Sequence, residues 1–250
     1  MARQRTPEGP PPPPAVQKLR LRYAKRGRLR FSSTRDFSRA LERALRRARV
    51  PMAYSAGFHP HPLISYANAA PTGTASEAEY FEIRVAQRVE PDEVRAALDE
   101  ALPLGLDIVE CVEAGPGTLA DRLEASEWRL VLCGVDRGQL DAAVAAFLAA
   151  PKAETTRTFK TGPKTFDTRE PVQAMAVIGE DDGGCAILRV VVRHTTPSVR
   201  PDDILTALRA LTAFSPPVAP LVTRLAQGPL IADSAQVADP LATDRAAVGH

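Results

Sequence analysis

Between Lys18 and Ala48 the spacing of apolar residues changes from every second position to every third or fourth, which fixes a strand followed by a helix. In Lys18-Leu-Arg-Leu-Arg-Tyr23, Leu19, Leu21 and Tyr23 alternate with Lys18, Arg20 and Arg22, the pattern of a half-buried strand. Lys25-Arg26-Gly27 is a turn signal and Arg28-Leu-Arg-Phe31 resumes the alternation, so the sequence predicts a hairpin with one arginine face. Ser33-Thr34-Arg35-Asp36 has the form of a capping box, in which a serine oxygen and an acid three residues on satisfy orphan helix amides. Phe37, Ala40, Leu41, Ala44, Leu45 and Ala48 then form one apolar stripe, with Arg35, Arg39, Arg43, Arg46 and Arg47 away from it. Pro51 ends this helix, because the residue before a proline is pushed out of the α region.

Further on, residues 63–68 and 79–86 read as strands, Pro91 opens a helix over 92–101, and residues 106–112 close the first half. The order repeats in a second half. Strands are expected over 128–133, 155–160, 171–179, 186–192 and 218–225, and helices over 140–149 and from Pro201 to Leu211. The fold class expected is α+β, two tandem ferredoxin-like domains with antiparallel sheets and helices on one face of each. The basic first domain spans residues 18–117 and the second 118–230. Residues 1–17, with prolines from Pro10 to Pro14, should form a disordered arm. Residues 231–250 should fray.

Charge is unevenly distributed. The chain carries a net +2, yet residues 18–49 hold thirteen Lys or Arg against Asp36 and Glu42, a local charge of +11. Such segregation suits a polyanion, because each phosphate neutralised releases condensed counterions; a solvated arginine-rich face is the plainer reading. Cys111, Cys133 and Cys185 stand far apart, which suggests neither a disulfide framework nor a zinc or iron–sulfur site and fits small buried side chains in a reducing compartment. No apolar run approaches the roughly 18 to 20 residues of a membrane helix, and the N-terminus lacks a signal peptide's apolar core. A cytoplasmic chain without a membrane partner is expected.

The candidate chemistry lies after the basic helix, in Tyr54-Ser-Ala-Gly-Phe-His-Pro-His-Pro62. His59 and His61 stand two apart, so an extended loop would project both imidazoles the same way. As a metal pair they lack nearby third and fourth ligands. As an acid–base pair, with Tyr54 as a further candidate, they suit phosphodiester chemistry near neutral pH. The plainest reading is that they bond the loop backbone or touch phosphate. Gly57 and Gly73 suit turns or close approach to a ligand. Lys160 and Lys164 mark a second basic loop or simply a hairpin tip. There is no Walker A loop, GxGxxG fingerprint, serine elbow or HExxH helix, and no cofactor or metal site is implied.

The string from Phe31 to Ile83 resembles the signature of the bacterial radical-SAM-linked protein family, and Lys164, Asp167-Thr-Arg169, Pro201 and Thr223-Arg224 resemble its weaker downstream pattern. The similarity spans about residues 18–228. It implies a protein fused to, or encoded beside, a radical SAM partner, with no assigned activity. The family usually has a Ser-His pair where this chain has Ser33-Thr34, so the better histidine to carry over is His61. Radical SAM enzymes hold their cluster with closely spaced cysteines, commonly CxxxCxxC, and this chain has none.

The reading that joins these observations is an accessory protein that binds structured RNA through Arg20, Arg22, Arg28, Arg30, Arg35, Arg39, Arg43, Arg46, Arg47, His61, Lys160 and Lys164. It would serve RNA modification or processing beside a radical SAM partner. Two alternatives remain open, an RNA-acting enzyme using His61 with His59 or Tyr54, and a module docking an acidic protein. Base stacking on the strands is not expected, since they lack the aromatic signature of an RNA-recognition motif.

Overall fold

A computed structural model describes residues 12–248. They divide into two compact units, one built from residues up to Ala120 together with those from Leu241 onward, the other from Asp121–Pro240. Both are α+β. Most of the expected N-terminal arm lies outside the described residues; residues 12–16 have no regular structure and Gln17 already belongs to a strand.

The first unit contains β1 (Gln17–Lys25), α1 (Thr34–Arg47), β2 (Ile64–Ala67), β3 (Ala75–Val85), α2 (Pro91–Ala101), β4 (Leu106–Glu113) and, from the far end of the chain, α5 (Ala242–Val248). Its strands lie in the order β4-β1-β3-β2, each pair antiparallel. The period of two in β1 does what the sequence requires. Leu19, Leu21 and Tyr23 join Phe81 and Ile83 of β3, Ile108 of β4, Phe37, Leu41 and Leu45 of α1, and Leu98 of α2 in one core. Tyr23 and Phe37 stack with ring centroids 3.9 Å apart, fastening α1 to that face.

The other face of β1 corrects an expectation. Strand alternation sends Arg20 and Arg22 away from α1, so they cannot share a surface with its arginines. Register then supplies carboxylates: Arg20 lies opposite Glu82 and Arg22 opposite Glu110. Arg20 is fully buried. Its Nε lies 2.9 Å from Glu82, its Nη1 2.7 Å from Asp244, and its Nη2 donates to the Gly117 carbonyl. Arg22 stands 3.8 Å from Glu110, and Lys18 2.7 Å from Glu82. Lys18, Arg20 and Arg22 are thus paired with carboxylates within the unit, and Lys25 Nζ lies 3.4 Å from the Ala70 carbonyl.

Two further expectations fail here. Gly27–Phe31 is a 3-10 helix, not a second hairpin strand. β1 is instead paired on both sides by β3 and β4, which leaves no edge for residues 28–31 to occupy. The tail expected to fray is also ordered. Leu230–Ile231 and Gln236–Val237 pair as β11 and β12, and α5 docks with Leu241 and Asp244 fully buried. Asp244 Oδ1 also accepts from the Gly115 amide at 2.9 Å, and Arg245 pairs with Glu110.

The second unit contains β5 (Ala125–Leu132), α3 (Arg137–Ala149), β6 (Glu154–Phe159), β7 (Gly162–Asp167), β8 (Val172–Glu180), β9 (Ala186–Arg193), α4 (Pro201–Thr212) and β10 (Leu221–Gly228), besides β11 and β12. The antiparallel order is β10-β5-β9-β8. Leu130, Leu140, Phe147, Leu188 and Leu208 lie in its core, drawn from both helices and the sheet. β6 and β7 form a separate hairpin.

Cys133 and Cys185 are joined as a disulfide, contrary to the reading of all three cysteines as isolated thiols. The β5–β9 register accounts for it: Leu132 lies opposite Ala186, so the next residue on either side brings the two cysteines together, Cα to Cα 4.3 Å, across 52 residues of sequence. At the opposite end of the β5–β9 pair, where Ala125 lies opposite Arg193, His194 Nδ1 donates to the Leu123 carbonyl and its Nε2 accepts from Ser126 Oγ, both at 2.7 Å. Burial holds the His194 imidazole below its ordinary 6.5.

Asp244→Ala leaves a buried guanidinium short of a partner and should cost unit 1 about 3 kcal/mol, read from urea unfolding followed at the tyrosines, all four of which lie in this unit. Because His194 titrates lower folded than unfolded, the unfolded chain takes the proton first as pH falls below 6.5. Stability conferred by the neutral ring is therefore complete above that value and lost on acidification through the folded pKa. His194→Gln should flatten part of the decline between about pH 7 and 5, followed at Trp128; an unchanged pH profile would remove His194 from the account.

Candidate nucleic-acid interface

The helix α1 carries the surviving basic surface. Ser33 caps it: its hydroxyl accepts from the Asp36 amide at 3.2 Å, while Asp36 Oδ2 accepts from the Ser33 amide at 3.0 Å. Hydrogen bonds from the Ser33 hydroxyl and amide hold the Asp36 carboxyl below its ordinary value. This acid is committed to the cap. Arg35, Arg39, Arg43 and Arg46 follow at i, i+4, i+8 and i+11, which at 3.6 residues per turn keeps them on one side over about 16 Å. All four are exposed, as is Arg47 beside them.

Arg46 is 4.0 Å from Glu42, and Arg47 Nη1 donates to the Ala101 carbonyl at 3.2 Å. Among the described residues, Arg28, Arg30, Arg35, Arg39, Arg43 and Arg47 make no ion pair. Arg28 is exposed on the 3-10 turn before α1, and Arg30 lies 4.6 Å over the Phe31 ring. The +11 segment is therefore divided: the strand's cations are paired within the unit, the helix's point to solvent.

The histidine loop packs at the C-terminal end of α1. Leu63 N donates to Ala53 O and Ser55 N to His61 O, both at 2.9 Å, and His61 N donates to Ser55 Oγ at 3.0 Å. Residues 53–55 and 61–63 are thereby tied as two short antiparallel rungs, with Gly57 supplying the positive φ of 135° at the tip. Gly73 also has a positive φ, of 91°, and lies beside the Phe31 ring, so its role is a turn.

The result is a cleft of about 200 Å³ lined by Leu45, Met52, Tyr54 and His61, with Glu42 and Arg46 from α1. His59 stands exposed at the loop tip outside this lining. Of the two histidines, His61 is the one that lines it. Sequence reasoning also missed two exposed aromatics of this unit, Phe31 at 58% and Phe58 at 60%; Tyr54, a candidate from the sequence, is 41% exposed. Their loop and turn positions carry no periodic pattern; the signal was an aromatic within a basic or Gly/Pro-rich stretch.

In the second unit Lys160 and Thr161 form the two-residue turn between β6 and β7, and Lys164 lies 5.7 Å over the Phe159 ring. Asp167-Thr168-Arg169 is structural. Asp167 Oδ1 accepts from the Ala153 amide, Thr168 Oγ1 donates to the Ala153 carbonyl, and Arg169 donates to the Leu148 and Val172 carbonyls. Arg224 is buried against Trp128.

Residues 18–201 match the model of the family described as "Uncharacterized protein conserved in bacteria (DUF2344)". The chain belongs to this family. DUF2344 is the radical-SAM-linked family that the signature string resembles, and the match covers the whole of α1, the histidine loop and the cleft. No curated protein matches the chain. No group of three or more His, Cys, Asp or Glu able to hold a metal occurs among the described residues. The three cysteines are a disulfide pair and a buried thiol, with no cluster of the radical SAM kind. No helix of the described residues is long and apolar enough to cross a membrane.

Burial pushes the Cys111 thiol up to about 12. At pH 8 the native, unreduced chain should take up no iodoacetamide, and one equivalent in denaturant, counted by intact mass; labelling of the native chain would contradict the burial of Cys111.

Proposed function

We propose that this DUF2344 protein is an RNA-binding accessory of a radical SAM partner, gripping the phosphate backbone with the α1 stripe in RNA modification or processing. The observation that carries it is the one-sided row Arg35, Arg39, Arg43 and Arg46 on a capped helix, with Asp36 engaged elsewhere. Guanidinium groups fork onto phosphate oxygens, and RNA recognised by shape needs little reading of base edges. Arg28 and Arg47 extend the surface; Arg20 and Arg22 are removed from it. His61 lies beside Arg46 as a further donor, and Lys160 and Lys164 remain a separate basic site in unit 2.

Each unit is read as a ferredoxin-like domain, over 18–117 and 118–230. Numbered within its own unit, each sheet has the order 4-1-3-2, with a helix after the first and third strands. A cytoplasmic setting follows from the RNA partner.

Filter binding across a salt series tests the reading. Four phosphate contacts predict that log K falls against log salt with a slope of about −3 to −4, and Arg39→Ala with Arg43→Ala should lower affinity and shallow the slope by about 1.5 to 2. Absence of RNA binding at low salt, or binding indifferent to salt, would overturn it. Co-purification with a radical SAM protein that survives nuclease would favour protein docking by the same face.

A further inference from the structure

The cleft at the end of α1 differs in chemistry from the stripe that leads to it. Beside Arg46, the last arginine of that stripe and 4.0 Å from Glu42, it holds the Glu42 carboxylate, the apolar side chains of Leu45 and Met52 and the rings of Tyr54 and His61. Tyr54 is 41% exposed although its backbone is fixed by the rung opposite Pro62. Its ring is presented, not buried. A cavity of about 200 Å³ is smaller than the roughly 300–1,000 Å³ typical of drug-sized ligands. It suits one planar ring system.

We infer that this cleft receives a single unpaired RNA base, stacked against Tyr54 or His61, with Glu42 accepting from its Watson–Crick edge while the α1 arginines hold the flanking phosphates. Unstacked bases in loops and bulges are the usual targets of sequence-selective RNA recognition, and aromatic or histidine rings are their usual platforms. An acidic side chain selects among them. Guanine offers adjacent N1–H and N2–H donors to the two carboxylate oxygens, whereas uracil offers one N–H flanked by two carbonyls that the carboxylate repels. Phe58, 60% exposed on the same loop, gives a neighbouring base a second ring to lie on. The inference rests on the RNA-binding reading and narrows it: the protein distinguishes a loop or bulge from an uninterrupted duplex, and guanine from uracil within it.

The test compares, with the full chain at one salt concentration, a blunt RNA duplex and two RNAs of equal phosphate number whose single-stranded loop presents either guanine or uracil. Fluorescence anisotropy should show the guanine loop bound about tenfold more tightly than the duplex, with the uracil loop between them. Tyr54→Ala should collapse the ratio of loop to duplex affinity, Tyr54→Phe should retain it, and Glu42→Gln should erase the difference between guanine and uracil. Arg39→Ala with Arg43→Ala should weaken all three RNAs together. If the wild-type chain binds none of them at low salt, both the phosphate-gripping reading and the cleft assignment fall. Equal affinity for loops and duplex, or a ratio untouched by Tyr54→Ala, overturns the cleft alone and leaves the arginine stripe standing.

Discussion

Everything in the first unit depends on how β1 disposes of its two faces. Its leucines and Tyr23 take the helices, so Arg20 must go to the opposite face, where full burial of a guanidinium is tolerable only with carboxylates in reach. Glu82 comes from the neighbouring strand by register, and Asp244 from a helix at the other end of the chain. A buried ion pair adds little net stability compared with apolar packing, but it punishes any arrangement that leaves one partner alone. Arg20 therefore acts chiefly as a specificity device, tying β1, β3 and α5 into one register.

The same rule sorts the charge. A run of thirteen cations against two acids reads in one dimension as a single basic patch. In three dimensions a strand and a helix packed on that strand's apolar face must show their polar sides in opposite directions. Half of the patch becomes internal wiring and the other half becomes surface. The period of two and the period of 3.6 were both visible in the sequence; this division arises only when the helix is packed on the strand's apolar side.

Local signals were legible because their causes are local. The cap of α1, its apolar stripe, the proline-led starts of α2 and α4, and most strands of both units stem from spacing and from residues within a few positions of one another. The second arm of the first hairpin was misread because alternation in Arg28-Leu-Arg-Phe31 cannot reveal that both edges of β1 are already taken. The Cys133–Cys185 bond depends on strand register, and the order in the tail depends on Arg20; neither partner is signalled nearby. The cleft was half legible. Tyr54 and His61 stood out by residue type, but Glu42 and Arg46 reach it only because Ser55 folds the loop back onto the end of α1.

Asp244 lies 224 positions beyond Arg20 in the chain. On a ribosome adding about 5–20 residues per second, the first unit's buried cation waits on the order of ten seconds or more for its second carboxylate. The domain begun first is completed last, after the whole of the other has emerged. A nascent chain stalled before α5 would display an N-terminal half in which Arg20 has Glu82 but still lacks Asp244.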